Sequence, residues 1–152
     1  MKTLDEEIDH IESLALERIR QDMLWSNLLE GLGTMKGVAD RTVSYLLAYL
    51  PELGTLSAKA VAKLVGLAPI AKDSGKSQGK RHVRGGREQI RSPLVFIATI
   101  AGRYDPKLRA FRQKLLDAGK PKMVVRTAVA RKLLVILNAK ARDIRAEIQI
   151  PA

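Results

Sequence analysis

The chain has no cysteine and only two histidines among its 152 residues. No disulfide can brace it, no thiolate metal site can form, and a reducing compartment is permitted. Aromatic side chains are few: one Trp, three Tyr and two Phe. None falls between residues 71 and 91, the most basic stretch, so a platform for stacking unpaired bases is not expected there. No apolar run approaches the ~18 residues of a membrane span. The opening "MKTLDEEIDH" is too acidic and polar for a secretory leader. A cytoplasmic location without membrane contact is the resulting expectation.

Positive charge is abundant, and it is unevenly placed. The formal net charge is +11. Residues 1–71 carry seven basic and ten acidic side chains, whereas residues 72–152 carry twenty basic and six acidic ones. A second half of that kind suits a polyanionic partner such as nucleic acid. With 46% apolar and 28% charged residues the chain reads as globular rather than disordered.

Periodicity predicts an all-α fold of about six helices. Leu4, Ile8, Ile11, Ala15 and Ile19 form an apolar stripe on a long amphipathic N-terminal helix, with Thr3 and Glu6 in capping-box spacing. That stripe suits either packing on its own domain or a homo-oligomeric coiled coil, which makes residues 1–27 a connector and 28–152 the helical domain. Gly31, Gly33 and Gly37 punctuate a turn before a helix from Asp40 to about Leu50, stopped by Pro51. This is a helix-hairpin-helix-like pattern whose turn, with Lys36, can hold a phosphate, or simply connects two core helices. Ser57 and Gly66 bracket a short helix. A kinked or restarted helix around Pro93 covers about 87–103. Asp105, Pro106 and Gly119 delimit the next. The last long helix buries Val124, Ala128, Leu133, Leu134 and Leu137 and shows a basic face.

Between these helices lies "AKDSGKSQGKRHVRGGREQIR", residues 71–91, with seven Lys or Arg and no apolar periodicity. It reads as a long functional loop shaped by Gly75, Gly79, Gly85 and Gly86. Its cations can form a solvated face. They can grip phosphates without reading sequence. Or they can stabilise charge at a phosphoryl centre attacked by Ser74, whose neighbour Gly75 permits close backbone approach. Composition does not separate grip from reaction.

The ordered series "LPELG", "GLAP", "DSG", a spaced glycine, "GKRH", "RGG", "GKPK" and "RKLLVILNA" resembles the C-terminal transposase domain of the insertion-sequence one-ten/one-sixteen transposases, the bridge-RNA-guided serine recombinases. The likeness covers about residues 28–143. It implies that Ser74 is the nucleophile that forms a covalent phosphoserine link with DNA, with Ser77 the rival hydroxyl. Lys76, Lys80, Arg81, Arg84, Arg87 and Arg91 would hold nucleic acid or screen charge. His82 would assist proton transfer or stand as a structural or phosphate-facing side chain. The implied partners are double-stranded DNA and a guide RNA. The chain departs from the family in reading "KGVA" at the hairpin turn, where the family tends to Pro-Gly-x-Gly, and in placing Pro93 within an expected helix. Family members also carry an N-terminal ribonuclease-H-like half with four acidic metal ligands. Only the opening helix precedes the matching region here. The chain is therefore expected to be a fragment with no metal site of its own, Mg²⁺ belonging to the absent half. A non-catalytic helix-hairpin-helix nucleic-acid-binding module is the alternative reading.

Overall fold

The computed structural model describes residues 2–70, 73–74, 77–78, 82–83 and 85–149. The described residues form seven helices: α1 (Lys2–Gln21), α2 (Met23–Gly33), α3 (Asp40–Tyr49), α4 (Ala58–Val65), α5 (Glu88–Tyr104), α6 (Pro106–Asp117) and α7 (Lys122–Gln149). Four two-residue strands lie between α4 and α5: β1 (Pro69–Ile70), β2 (Asp73–Ser74), β3 (Ser77–Gln78) and β4 (His82–Val83). The protein is all-α, with these strands as its only extended pairing among the described residues.

The extra helix arises at Asp22. Its extended backbone (φ −100°, ψ 127°) ends α1, and its carboxylate accepts from Trp25 N–H at 2.9 Å, capping α2. At the other end of α1, the helix already begins at Lys2, so Thr3 lies inside it and does not act as the N-cap expected from the Thr3–Glu6 spacing. The signals elsewhere behave as the sequence suggests. Ser57 accepts from Ala60 N–H and Gly66 closes α4 in the left-handed conformation. Asp105 accepts from Leu108 N–H, with Pro106 opening α6.

α7 is the central pillar and packs on α2, α4, α5 and α6. Leu133, Leu134, Leu137 and Ala141 are fully buried along it. Its N-terminal half is turned by one residue from the expected face. Val125 and Val129 enter the core, whereas Val124 is 52% exposed and Ala128 half-buried. A single residue step rotates a side chain by ~100° around the axis, so neighbouring valines are distinguished by the partner helices and not by their own hydropathy. Each leucine removed from water here contributes about 1.5–3 kcal/mol.

α1 sits outside this core. Leu16 and Ile19 pack against it, but Leu4 (63% exposed), Ile8 (45%) and Ile11 (64%) stay in solvent. No described helix is long and apolar enough to cross a membrane.

α5 runs through Pro93 without restarting. Proline has no N–H to give to the carbonyl four residues earlier, that of Gln89. The Tyr45 hydroxyl of α3 donates to that carbonyl at 2.7 Å. A side chain from another helix thus supplies the hydrogen bond that Pro93 omits. Tyr45→Phe should therefore cost about 1 kcal/mol in urea unfolding. In a Pro93→Ala background, where the backbone donor is restored, the same change should cost close to nothing. Equal costs in both backgrounds would contradict this pairing.

Candidate nucleic-acid interface

The connection after α3, residues 51–56, meets the return of the basic segment at Arg87. Several of its polar groups meet partners from far along the chain. Asn138 of α7, the one buried polar side chain among the described residues, accepts from Gly54 N–H at 2.9 Å and donates to the Leu56 carbonyl at 2.8 Å. Arg145, two turns further along the same face of α7, donates to the carbonyls of Leu53 and Pro51, both at 2.9 Å. Glu52 points the other way and takes a two-pronged ion pair from Arg87, at 2.6 and 2.8 Å. Arg87 also donates to the Tyr49 carbonyl at 3.0 Å. The Arg87 guanidinium, through its side-chain hydrogen bonds to the carboxylate, holds the Glu52 carboxyl below its ordinary value.

Arg87 marks the return of the basic segment. Its backbone N–H bonds the Leu64 carbonyl at 2.9 Å, while Leu67 N–H, at the departure, bonds Ala62 O at 2.8 Å. Gly66 and Gly86 touch backbone to backbone: a Cβ on Gly86 (φ +75°) would collide with Gly66 N and Cα. Only glycine on both sides lets the two ends meet this closely. Arg91 fastens the same spot, donating to Gly85 O at 2.6 Å and pairing with Glu88 at 3.4 Å. The segment is thus an arm whose two ends are fixed at one foot.

Within the arm, Pro69 pairs with Val83 and Ile70 with His82, antiparallel. Further out, Asp73 pairs with Gln78 and Ser74 with Ser77. The two ladders are nested, so Ser74 is the last paired residue before the chain reverses. Lys76, Lys80, Arg81, Arg84, Gly75 and Gly79 lie outside the described residues. Ser74, Ser77 and His82 are placed by their backbone pairing alone. Gly85 and Gly86 lie at the foot. Arg87 and Arg91, also read from the sequence as nucleic-acid contacts, have guanidiniums engaged by Glu52, the Tyr49 carbonyl, Gly85 O and Glu88.

The α2–α3 turn is built differently. Gly37 (φ +88°) lies against the α5 backbone, where a Cβ would stand 2.8 Å from Ala101 Cα. Lys36 is exposed beside it. The N-cap of α3, Ala39, offers no side-chain bond, and Asp40 occupies the first turn, 3.7 Å from Arg20. That carboxylate competes with a phosphate for the free N–H groups and positive dipole of α3.

A mostly apolar groove edged by two cations adjoins the arm's foot. Open and about 690 Å³ in volume, it runs between Pro69 at that foot, Phe111 of α6 and Arg131 and Lys132 of α7. Lys132 Nζ lies 4.2 Å from the centre of the Phe111 ring. For the Mg²⁺ that the family resemblance implies, the described residues present no cluster of ligands. No three His, Asp or Glu side chains converge among them.

Residues 29–113 match the family described as Transposase IS116/IS110/IS902. The chain belongs to this family. Among its relatives is a pilin gene-inverting protein of Moraxella lacunata, 35% identical over 119 residues, which covers 75% of this chain and 37% of that protein. An uncharacterised 43.6 kDa protein of insertion element IS110 from Streptomyces coelicolor is 32% identical over 115 residues, 74% of this chain and 28% of its own length. An uncharacterised 42 kDa protein of IS900 from Mycobacterium paratuberculosis is 30% identical over 145 residues, 92% of this chain and 35% of its own. The chain spans about a third of the length of these curated relatives.

The sequence did not flag Glu52, Asn138 or Tyr45, and it placed Arg145 only on the basic face of the last helix. Only Glu52 carries a legible signal, as a lone acid between Pro51 and Leu53 in a net-basic protein.

Proposed function

We propose that this chain is the helical DNA-binding part of a transposase or site-specific recombinase, and that Ser74 is its nucleophile. The observation that supports it most is the placement of Ser74 at the outer ladder of a closed basic arm, in a chain of this transposase family. Lys76, Lys80, Arg81 and Arg84 share that arm and supply positive charge for a duplex backbone. The Ser74 hydroxyl oxygen attacks a DNA phosphorus and its proton leaves. One deoxyribose–oxygen bond to phosphorus breaks, and that oxygen departs as a hydroxyl. The phosphoserine ester keeps the bond energy, so the reverse attack by a strand hydroxyl rejoins DNA without a nucleotide cofactor. Acidic metal-binding residues from a further domain complete the reaction, and a guide RNA supplies target choice. The isolated chain binds DNA but recombines it poorly.

The non-catalytic helix-hairpin-helix reading relies on the α2–α3 turn, where Asp40 opposes a phosphate. Ser74→Ala separates the two readings. Joined to the acidic domain, it should abolish the covalent protein–DNA adduct and strand exchange while leaving duplex affinity within about twofold, because a neutral hydroxyl adds little to counterion release. With about six phosphates neutralised, wild-type affinity should fall with a log–log salt slope of roughly −5. Undiminished exchange by the variant would refute Ser74 as nucleophile. A flat salt dependence would refute DNA binding.

The uncovered stripe of α1 supports homo-oligomerisation through that helix. Sedimentation equilibrium should show self-association that Ile8→Glu/Ile11→Glu removes. Unchanged association in that variant would place the interface elsewhere.

A further inference from the structure

The cations in this structure fall into two kinds. Those that hold the fold have a partner: Arg87 has Glu52, Arg91 has Glu88 and Gly85 O, and Arg145 has two carbonyls. Four others converge without one. Arg103 in the last turn of α5, Arg112 of α6, and Lys122 and Arg126 in the first turns of α7 line a single cavity of about 130 Å³. Among the described residues none of the four pairs with a carboxylate or donates to a carbonyl. No acidic side chain lines the cavity.

The cavity is built into the packing of three helices. Its floor includes Val125 and Val129, both buried. The stem of Arg112 lies over Gly102, where a Cβ would be 3.5 Å from Arg112 Cδ. Apolar packing therefore sets the cavity's shape and lowers the local dielectric under the charged groups. Four like charges around one small space repel each other, and helix packing does not require them there. An anion among them reverses the sign of that interaction. Three of the four are Arg, whose planar fork matches phosphate oxygens in a two-pronged way.

We infer that this cavity binds one phosphate of a nucleic-acid backbone, as a second anchor separate from the arm. This rests on the nucleic-acid reading above. Arg131 and Lys132 line the groove at the arm's foot, and Lys122 and Arg126 line the cavity from the same half of α7. A strand held by the arm can continue along that half of α7 to the second anchor. The contact fixes register and orientation and reads no sequence.

The test uses the 152-residue chain with Arg112→Gln, Arg126→Gln and the double variant. Binding to a mixed-sequence DNA duplex and to an RNA hairpin of similar length is titrated across salt. Because the side chains share one phosphate, each single variant should lower the slope by about 1, and the double should lower it no further. Affinity near 0.15 M salt should weaken roughly fivefold, whatever the sequence. Loss on either DNA or RNA supports the inference and says which strand occupies the cavity. Steep wild-type binding with unchanged slopes in the variants overturns it and leaves the proposed function standing. Additive slope losses overturn the shared phosphate. Wild-type chain that binds neither polymer overturns both readings. Circular dichroism melts check the fold, and Lys122→Gln, at the exposed rim, serves if the double variant fails to fold.

Discussion

The connection of residues 51–56 is the constraint on which the rest depends. It has no secondary structure of its own, yet it is gripped from both sides. Asn138 and Arg145 bind it to the long central helix, and Glu52 extends from it to Arg87. A buried backbone N–H or carbonyl without a partner costs about 1–3 kcal/mol, so the loop's path is determined by where α7 places those two side chains. The Glu52–Arg87 pair is partly exposed, at 35% and 37%. Its own contribution to stability is modest. What it does is geometric: it orients the residue at which the arm re-enters the helical domain.

This arrangement separates scaffolding charge from working charge. A stretch of many cations repels itself, so it needs a rigid origin. The Gly66–Gly86 contact, Arg91 on Gly85 O and Arg87 on Glu52 provide one. Two of the seven basic residues of the stretch 71–91 thereby serve the foot. The remaining five lie outside the described residues, and four further cations gather where α5, α6 and α7 meet. A polyanion bridging the two clusters would relieve repulsion in both.

Much of the helical framework was legible because it is encoded locally. Ser57, Gly66, Asp105 and Pro106 act within a turn of themselves, and the structure uses each as its type suggests. What failed was decided at a distance. α5 continues through Pro93 without restarting, and Tyr45, 44 positions away from Gln89, donates to the carbonyl that Pro93 leaves without a backbone partner. Val124 and Val125 differ only in which one faces the neighbouring helices. The site shows the same division. The arm is visible as a dense cationic run with glycines. The partner of Arg87 is not visible, because counting charge cannot reveal a carboxylate 35 residues away. The four-cation cavity is assembled from three helices and leaves no contiguous pattern in the chain.

The central claim is that α7 positions the arm through the 51–56 connection. Amide hydrogen exchange at Arg87, whose N–H bonds Leu64 O, tests it most directly when measured in the wild-type chain and in Asn138→Ala. The account predicts that removing the Asn138 amide speeds exchange at Gly54, its direct partner, and at Arg87, which it touches only through the connection, beyond the general loss of stability seen at core amides of α7. Faster exchange at Gly54 with Arg87 moving only as much as those core amides would contradict it.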